Sequence, residues 1–250
     1  GIPVLLDLSK KALEDLANKL KNDYQVDAIG FEVDITNESQ IQHNAAELME
    51  IYGKIDGLVN NAANNPKVED SSGKNFSRLE NLPLDFWNQD LSVGLTGAFL
   101  CAKYYGYQIS KNSNGGSIVN VSSDLGLIAP DQRLYMETGV VESKQSVKPV
   151  TYSVVKAGLI GLTKASALDL AKYNILVNAV SPGVIKTGLT KKILSSKELS
   201  GTYAIYDLGG GTFDCSIAKV SGQDVEILTS EGVRALGGKD FDRVLIDFLI

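Results

Sequence analysis

Residues 152–181, YSVVKAGLIGLTKASALDLAKYNILVNAVS, decide the fold. Tyr152 to about Lys172 reads as one helix, and Ile175–Ser181, ILVNAVS, as the strand that follows it. Working outward, Ser117–Ser123, SIVNVSS, is a strand entered through the turn Asn114-Gly115-Gly116, and Leu84 to Ile109 is a long helical stretch before it. Earlier still, Ile55–Asn60 and Val26–Val33 read as strands. Between them lies a helix with Ile41, Ala45, Leu48 and Tyr52 on its buried stripe, capped by Asn37 and Gln40 and stopped by Gly53. The chain opens with an apolar strand, Ile2–Leu6, and Asp7-Leu8-Ser9 leads into a helix carrying Leu13, Leu16, Ala17 and Leu20 on one face. Strands alternating with helices of this length predict parallel pairing through right-handed crossovers, hence an α/β doubly wound parallel sheet.

Composition narrows the function classes. With 250 residues and 44% hydrophobic content, the chain can build a core. A net charge of -6 without a basic run argues against nucleic acid or anionic lipid as partners, because both are negative. Cys101 and Cys215 are too few for a disulfide framework, and no cluster has metal-ligand spacing. The N-terminal stretch lacks the pattern of a leader and no long apolar run follows, so a cytoplasmic protein acting on a small molecule is expected. His43, on an ordinary amphipathic helix, is expected at the surface.

Tyr152 and Lys156 stand four apart, on one face of the predicted helix. A phenol titrates near pH 10, and a neighbouring ammonium favours the phenolate, which makes such a pair suited to acid/base work on a carbinol. Ser123 ends a parallel strand, where sheets of this class bind ligands, and can hydrogen-bond a substrate oxygen. Tyr135 is twelve positions after Ser123, but the residue four beyond it is Gly139, so Tyr152 is the better acid. In order along the chain, Asp7 and Asp34 at strand ends, Asn60-Asn61-Ala62-Ala63, Ser122-Ser123, Tyr152-x-x-x-Lys156 and Ser181–Thr187, SPGVIKT, resemble the short-chain dehydrogenase/reductase family over about residues 1–189. The resemblance implies a Rossmann-like domain and an oxidoreductase using NAD in preference to NADP, with Ser123, Tyr152 and Lys156 catalytic. It further implies that Asp7, Asp34, Asn60, Ala62, Tyr152, Lys156, Pro182, Gly183, Ile185 and Thr187 hold the cofactor, and that long helices build a homodimer or homotetramer. An alternative for Asn60 and Asn61 is side-chain hydrogen bonding that ties neighbouring strands.

The chain departs from that pattern in three places. The family opens with a strand and a glycine-rich turn, T-G-x-x-x-G-x-G, and this chain begins beyond them, so the Rossmann-like domain is expected to be incomplete at the N-terminus. Gly94 stands in SVGLTGAF where the family has an asparagine that supports a proton relay. The segment between Ser123 and Tyr152 is long, and it is similar to oxidoreductases of a bacterial subgroup linked to flagellin modification and nonulosonic-acid sugars. That likeness implies a sugar-derived polar substrate, with Asp131, Gln132 and Arg133 on its rim.

The last fifty residues carry a different signature. Tyr206–Asp214, YDLGGGTFD, sets three glycines between aspartates, and an apolar strand ending at Asp207 with a return strand from Phe213 to Val220 makes a β-hairpin. With ALGGKDFD further on, residues 201–250 resemble the seventy-kilodalton heat-shock chaperones among the actin-like ATPases. By that resemblance Asp207, Gly209, Gly210, Gly211 and Thr212 face the phosphates of ATP and its magnesium. Two incomplete modules are therefore expected, 1–197 and 198–250, joined through the polar SSKELSG. The readings are an NAD(P)-dependent oxidoreductase of a secondary alcohol or ketone, an ATP-binding chaperone-like module, or an inactive chimera. A further possibility is that TYAIYDLGGG replaces the last strand of the dehydrogenase sheet.

Overall fold

The computed structural model describes residues 1–64, 76–136, 139–183, 200–208, 212–221 and 224–234. The chain divides into two compact units, Gly1–Val184 and Ile185–Ile250. Of the expected junction SSKELSG, residues 195–199 lie outside the described residues.

The first unit follows the predicted alternation. Strand β1 (Val4–Asp7) leads to α1 (Lys10–Tyr24), then β2 (Ile29–Glu32), α2 (Glu38–Tyr52) and β3 (Gly57–Asn60). Helices α3 (Leu84–Leu91) and α4 (Gly97–Ile109) follow, then β4 (Gly116–Val121), α5 (Val150–Ala171) and β5 (Ile175–Val180). Local chemistry sets the ends. Ser9 caps α1 by accepting from the Ala12 amide, and Asn37 caps α2 by accepting from the Gln40 amide. Gly53 closes α2 at φ 73°, a left-handed conformation that glycine adopts without a Cβ clash.

Among the described residues all pairings in this unit are parallel, in two sets: β1 with β2, and β3-β4-β5. The α/β class is as the alternation predicts. No described strand joins β1 to β3, and a cavity of about 750 Å³ is lined by residues of both, among them Val4, Leu6, Leu58 and Asn60. The core gathers on the helical faces. Ile41, Ala45 and Leu48 of α2 pack with Val33, Leu100, Cys101 and Tyr105, while Ile109 meets Ile118, Ile175 and Val177. Along α1 the expected stripe is only partly used. Leu13 is buried but Leu16 is 45% exposed. His43 is exposed, as expected.

The second unit is an antiparallel meander, β6 (Ser200–Leu208), β7 (Thr212–Ser221) and β8 (Asp224–Arg234). The hairpin read from YDLGGGTFD is present, with Asp207 opposite Asp214 in register. Within this unit β6 pairs with β7, and β7 with β8. Gly209, Gly210 and Gly211 lie outside the described residues.

Candidate active site

The end of β4 and the first turns of α5 are bound to each other. The Ser122 hydroxyl donates to the Lys156 carbonyl at 2.7 Å, and a Cβ added to Gly126 would stand 2.7 Å from the Lys156 carbonyl carbon. Only a glycine allows that approach between the turn after β4 and the helix. At the start of α5, buried Thr151 donates to Asp90 of α3 at 2.5 Å, and the other oxygen of Asp90 accepts from Asn64. These ties fix the rotation of α5, and with it the face carrying Tyr152 and Lys156.

On that face the Lys156 ammonium lies 5.7 Å from the centroid of the Tyr152 ring and donates to the Val121 carbonyl at 2.6 Å. Burial, and then the charge of Lys148, hold Lys156 below the usual lysine range. Lys148, in the long segment before α5, sets its own ammonium 3.6 Å from the Tyr152 centroid. The spacing of four runs back from Lys156 and Tyr152 to Lys148, which the sequence reading missed because Lys148 precedes Pro149 and the predicted helix. Tyr135 belongs to the same neighbourhood. Burial raises its phenol, and Tyr152 and Asp124 act on it electrostatically in the same direction.

Ser123 sits at the β4 end as expected, but its hydroxyl is engaged: it donates to Asp124 at 2.7 Å and accepts from the Leu125 amide at 3.2 Å. Asp124 also takes the Leu125 amide, and its own amide donates to the Pro182 carbonyl at 3.1 Å. Pro182 and Gly183 therefore border the Ser123 turn, whereas Ile185 and Thr187 lie outside the described residues. The expected polar rim is differently used. Asp131 and Arg133 pair with each other at 2.8 Å, and Gln132 holds the backbone of Lys148 from both ends of its amide.

The expected cofactor residues occupy the strand ends. Asp7, Asn60 and Ala62 line the 750 Å³ cavity with Gly94, Ala98 and Cys101. Asp7 accepts from the Ser9 amide at 2.8 Å, and Asp34 accepts from both the amide and hydroxyl of Thr36. Asn60 donates to Asn120 at 2.8 Å, and Asn120 in turn donates to Thr163 of α5 at 2.8 Å. That is the strand-tying alternative read from the sequence. Burial pushes the Cys101 thiol up to about 12, which leaves it unreactive at neutral pH.

Gly94 lies in a π-helical turn, Ser92–Thr96, between α3 and α4. A Cβ there would stand 2.5 Å from Val155 Cγ1 of α5, so the missing side chain is matched by close packing against the helix that carries the tyrosine.

Comparison with known proteins places this geometry in a family. A family model described as enoyl-(acyl carrier protein) reductase matches residues 3–205, and one described as Hsp70 protein matches residues 172–250. The chain is 33% identical over 189 residues to an NAD-dependent glycerol dehydrogenase of Listeria innocua, covering 76% of this chain and 63% of that protein. A 3-oxoacyl-[acyl-carrier-protein] reductase of Aquifex aeolicus is 36% identical over 195 residues, covering 78% of this chain and 66% of its own length. The crystal structure of an NAD+-bound xylitol dehydrogenase superposes with a TM-score of 0.62 at 29% identity, covering 78% of this chain and 65% of that one. The chain thus spans a little under two thirds of the length of these relatives. With a family model matching more than half of its residues and a parallel α/β unit beneath the match, the chain belongs to the short-chain dehydrogenase/reductase family.

Proposed function

We propose that the first unit serves an NAD(P)-dependent oxidoreductase that interconverts a secondary alcohol and its ketone. The observation that carries this reading is the Tyr152 ring with the ammonium groups of Lys148 and Lys156 at 3.6 and 5.7 Å from its centroid, on the helix tied to the Ser122-Ser123 strand end. In this reading Tyr152 takes the carbinol proton in oxidation and returns it in reduction. Ser123 steadies the substrate oxygen once its hydroxyl turns from Asp124. When bound, a nicotinamide supplies or accepts the hydride.

The residues present suit that cofactor on one wall. Asp7 ends β1 as an exposed carboxylate able to accept from ribose hydroxyls, and Ala62 and Asn60 border the same apolar-walled cavity. An acid at Asp7 disfavours a 2′-phosphate, which supports NAD over NADP. Asp34, Pro182, Gly183, Ile185 and Thr187 complete the proposed set. The relatives act, by their names, on glycerol, xylitol and an acyl-carrier ketone, so the reading stops at the alcohol/ketone pair and leaves a sugar derivative as one member of that class. A homodimer or homotetramer is proposed with it, testable by light scattering.

Tyr152→Phe is the direct test, with NADH oxidation followed over a panel of small ketones. Turnover should fall about a thousandfold, the range of a lost general acid, while the melting temperature holds. Unchanged turnover removes Tyr152 from the mechanism.

The second reading, an ATP-binding module at Asp207, Gly209, Gly210, Gly211 and Thr212, is favoured by the Hsp70 match and the β6–β7 hairpin. Mg-ATP hydrolysis that survives Asp207→Asn would dismiss it. An inactive chimera is the outcome if neither nucleotide binds.

A further inference from the structure

We propose that Lys148 anchors a carboxylate of the substrate, so that the substrate class is a hydroxy acid and the corresponding keto acid. This rests on the oxidoreductase reading above and deepens it. The Lys148 ammonium lies 3.6 Å from the Tyr152 centroid, against the ring of the proposed acid/base. Among the described residues that ammonium has no hydrogen bond and no ion pair. The one nearby acid acting on it, Asp124, spends Oδ1 on the Ser123 hydroxyl and the Leu125 amide. Lys156, the second cation, points instead at the Val121 carbonyl.

The placement of Lys148 is built rather than incidental. Gln132 accepts from the Lys148 amide at 2.7 Å and donates to its carbonyl at 3.3 Å, and Pro149 follows as the cap of α5. The backbone is clamped, while the ammonium feels the charge of Asp124 but makes no ion pair among the described residues. A half-buried cation without an anion is costly, and a single negative charge brought to it removes that cost. One unpaired ammonium calls for one negative charge, which a carboxylate supplies. A carbinol carbon bonded to that carboxylate then lies at the phenol of Tyr152, because the ammonium rests against that ring.

Calorimetric titration of the full chain with D-glycerate and with glycerol tests this, because the two differ by a carboxylate in place of a carbinol. The expected result is glycerate binding at least about tenfold tighter than glycerol in the parent chain and in Lys148→Arg, with the difference lost in Lys148→Met. Equal affinities in the parent chain, or a glycerate preference that survives in Lys148→Met, overturn the inference, as does absence of saturable glycerate binding up to about 50 mM. Cooperative melting of both variants confirms that the comparison is between folded proteins. The readout needs no cofactor, so the two readings fail separately. A Lys148-dependent glycerate preference without NADH turnover defeats the oxidoreductase reading alone, and NADH turnover without that preference defeats the anchor alone.

Discussion

Asn120 shows how single residues hold this site. It is 1% exposed, accepts from Asn60 across the β3–β4 pairing and donates to Thr163 on α5. Asn120→Leu would leave the Asn60 amide and the Thr163 hydroxyl short of a partner inside the protein, at a cost of about 2 kcal/mol readable in urea unfolding. Lys148 makes the opposite contribution at neutral pH. Burial holds it below its ordinary value of 10.5, so the unfolded chain binds that proton more readily than the folded one. Stability therefore rises as pH climbs from the lowered folded value toward 10.5, and is reduced below that window. The rise in melting temperature between about pH 7 and about pH 10 should be smaller in Lys148→Met than in the parent chain. The nearness of Lys156 to Tyr152 was legible from their spacing and the place of Ser123 from the strand it ends; the engagement of Ser123 by Asp124 and the position of Lys148 were not. The first is a local turn whose hydroxyl partner spacing does not specify, and the second depends on where the long segment before α5 folds back, since partners seventy or sixteen residues apart, such as Ser77 with Val147 or Gln132 with Lys148, leave no periodic trace.

At the scale of elements, the junction of α3 and α4 with α5 governs the placement of the tyrosine. The π-turn at Ser92–Thr96 brings Gly94 against Val155, which lies one turn from Tyr152 and beside Lys156. Gly94→Ala forces its Cβ onto a β-branched side chain with little freedom to move, and should destabilise by about 1–3 kcal/mol. Pairing it with Val155→Ala should recover part of that loss, and a double-mutant cycle measures the coupling; strict additivity would contradict the packing account. The order and type of the elements were readable because strand and helix periods differ and caps such as Asn37 and Gly53 are explicit. Element lengths were not. β2 begins at Ile29 rather than Val26, and β3 at Gly57 rather than Ile55, because strand ends depend on the neighbour that supplies hydrogen bonds. Leu16 of α1 reads as core by spacing yet stands exposed, since a stripe is buried only where another element covers it.

For the whole molecule, the sequence reads as two partial resemblances meeting at 197/198, while the chain divides into compact units at Val184/Ile185, with described strands parallel in the first and antiparallel in the second. The first unit's two parallel sets leave an apolar-walled cavity of about 750 Å³, reached by Val4, Leu6, Ala98 and Tyr105. A fluorescent apolar dye such as ANS should therefore bind the native chain and lose its signal on cooperative unfolding; a dark native state would mean that this cavity is closed in solution. The same cavity carries Asp7, Asn60 and Ala62, three of the residues proposed to hold the cofactor. Titration of the chain with NADH, following nicotinamide fluorescence and the melting temperature together, tests this most directly. Saturable binding, with a melting temperature that rises with NADH concentration and less with NADPH, is the predicted result. A cooperative melt that NADH leaves unmoved, with no fluorescence change, would contradict the oxidoreductase reading of this chain.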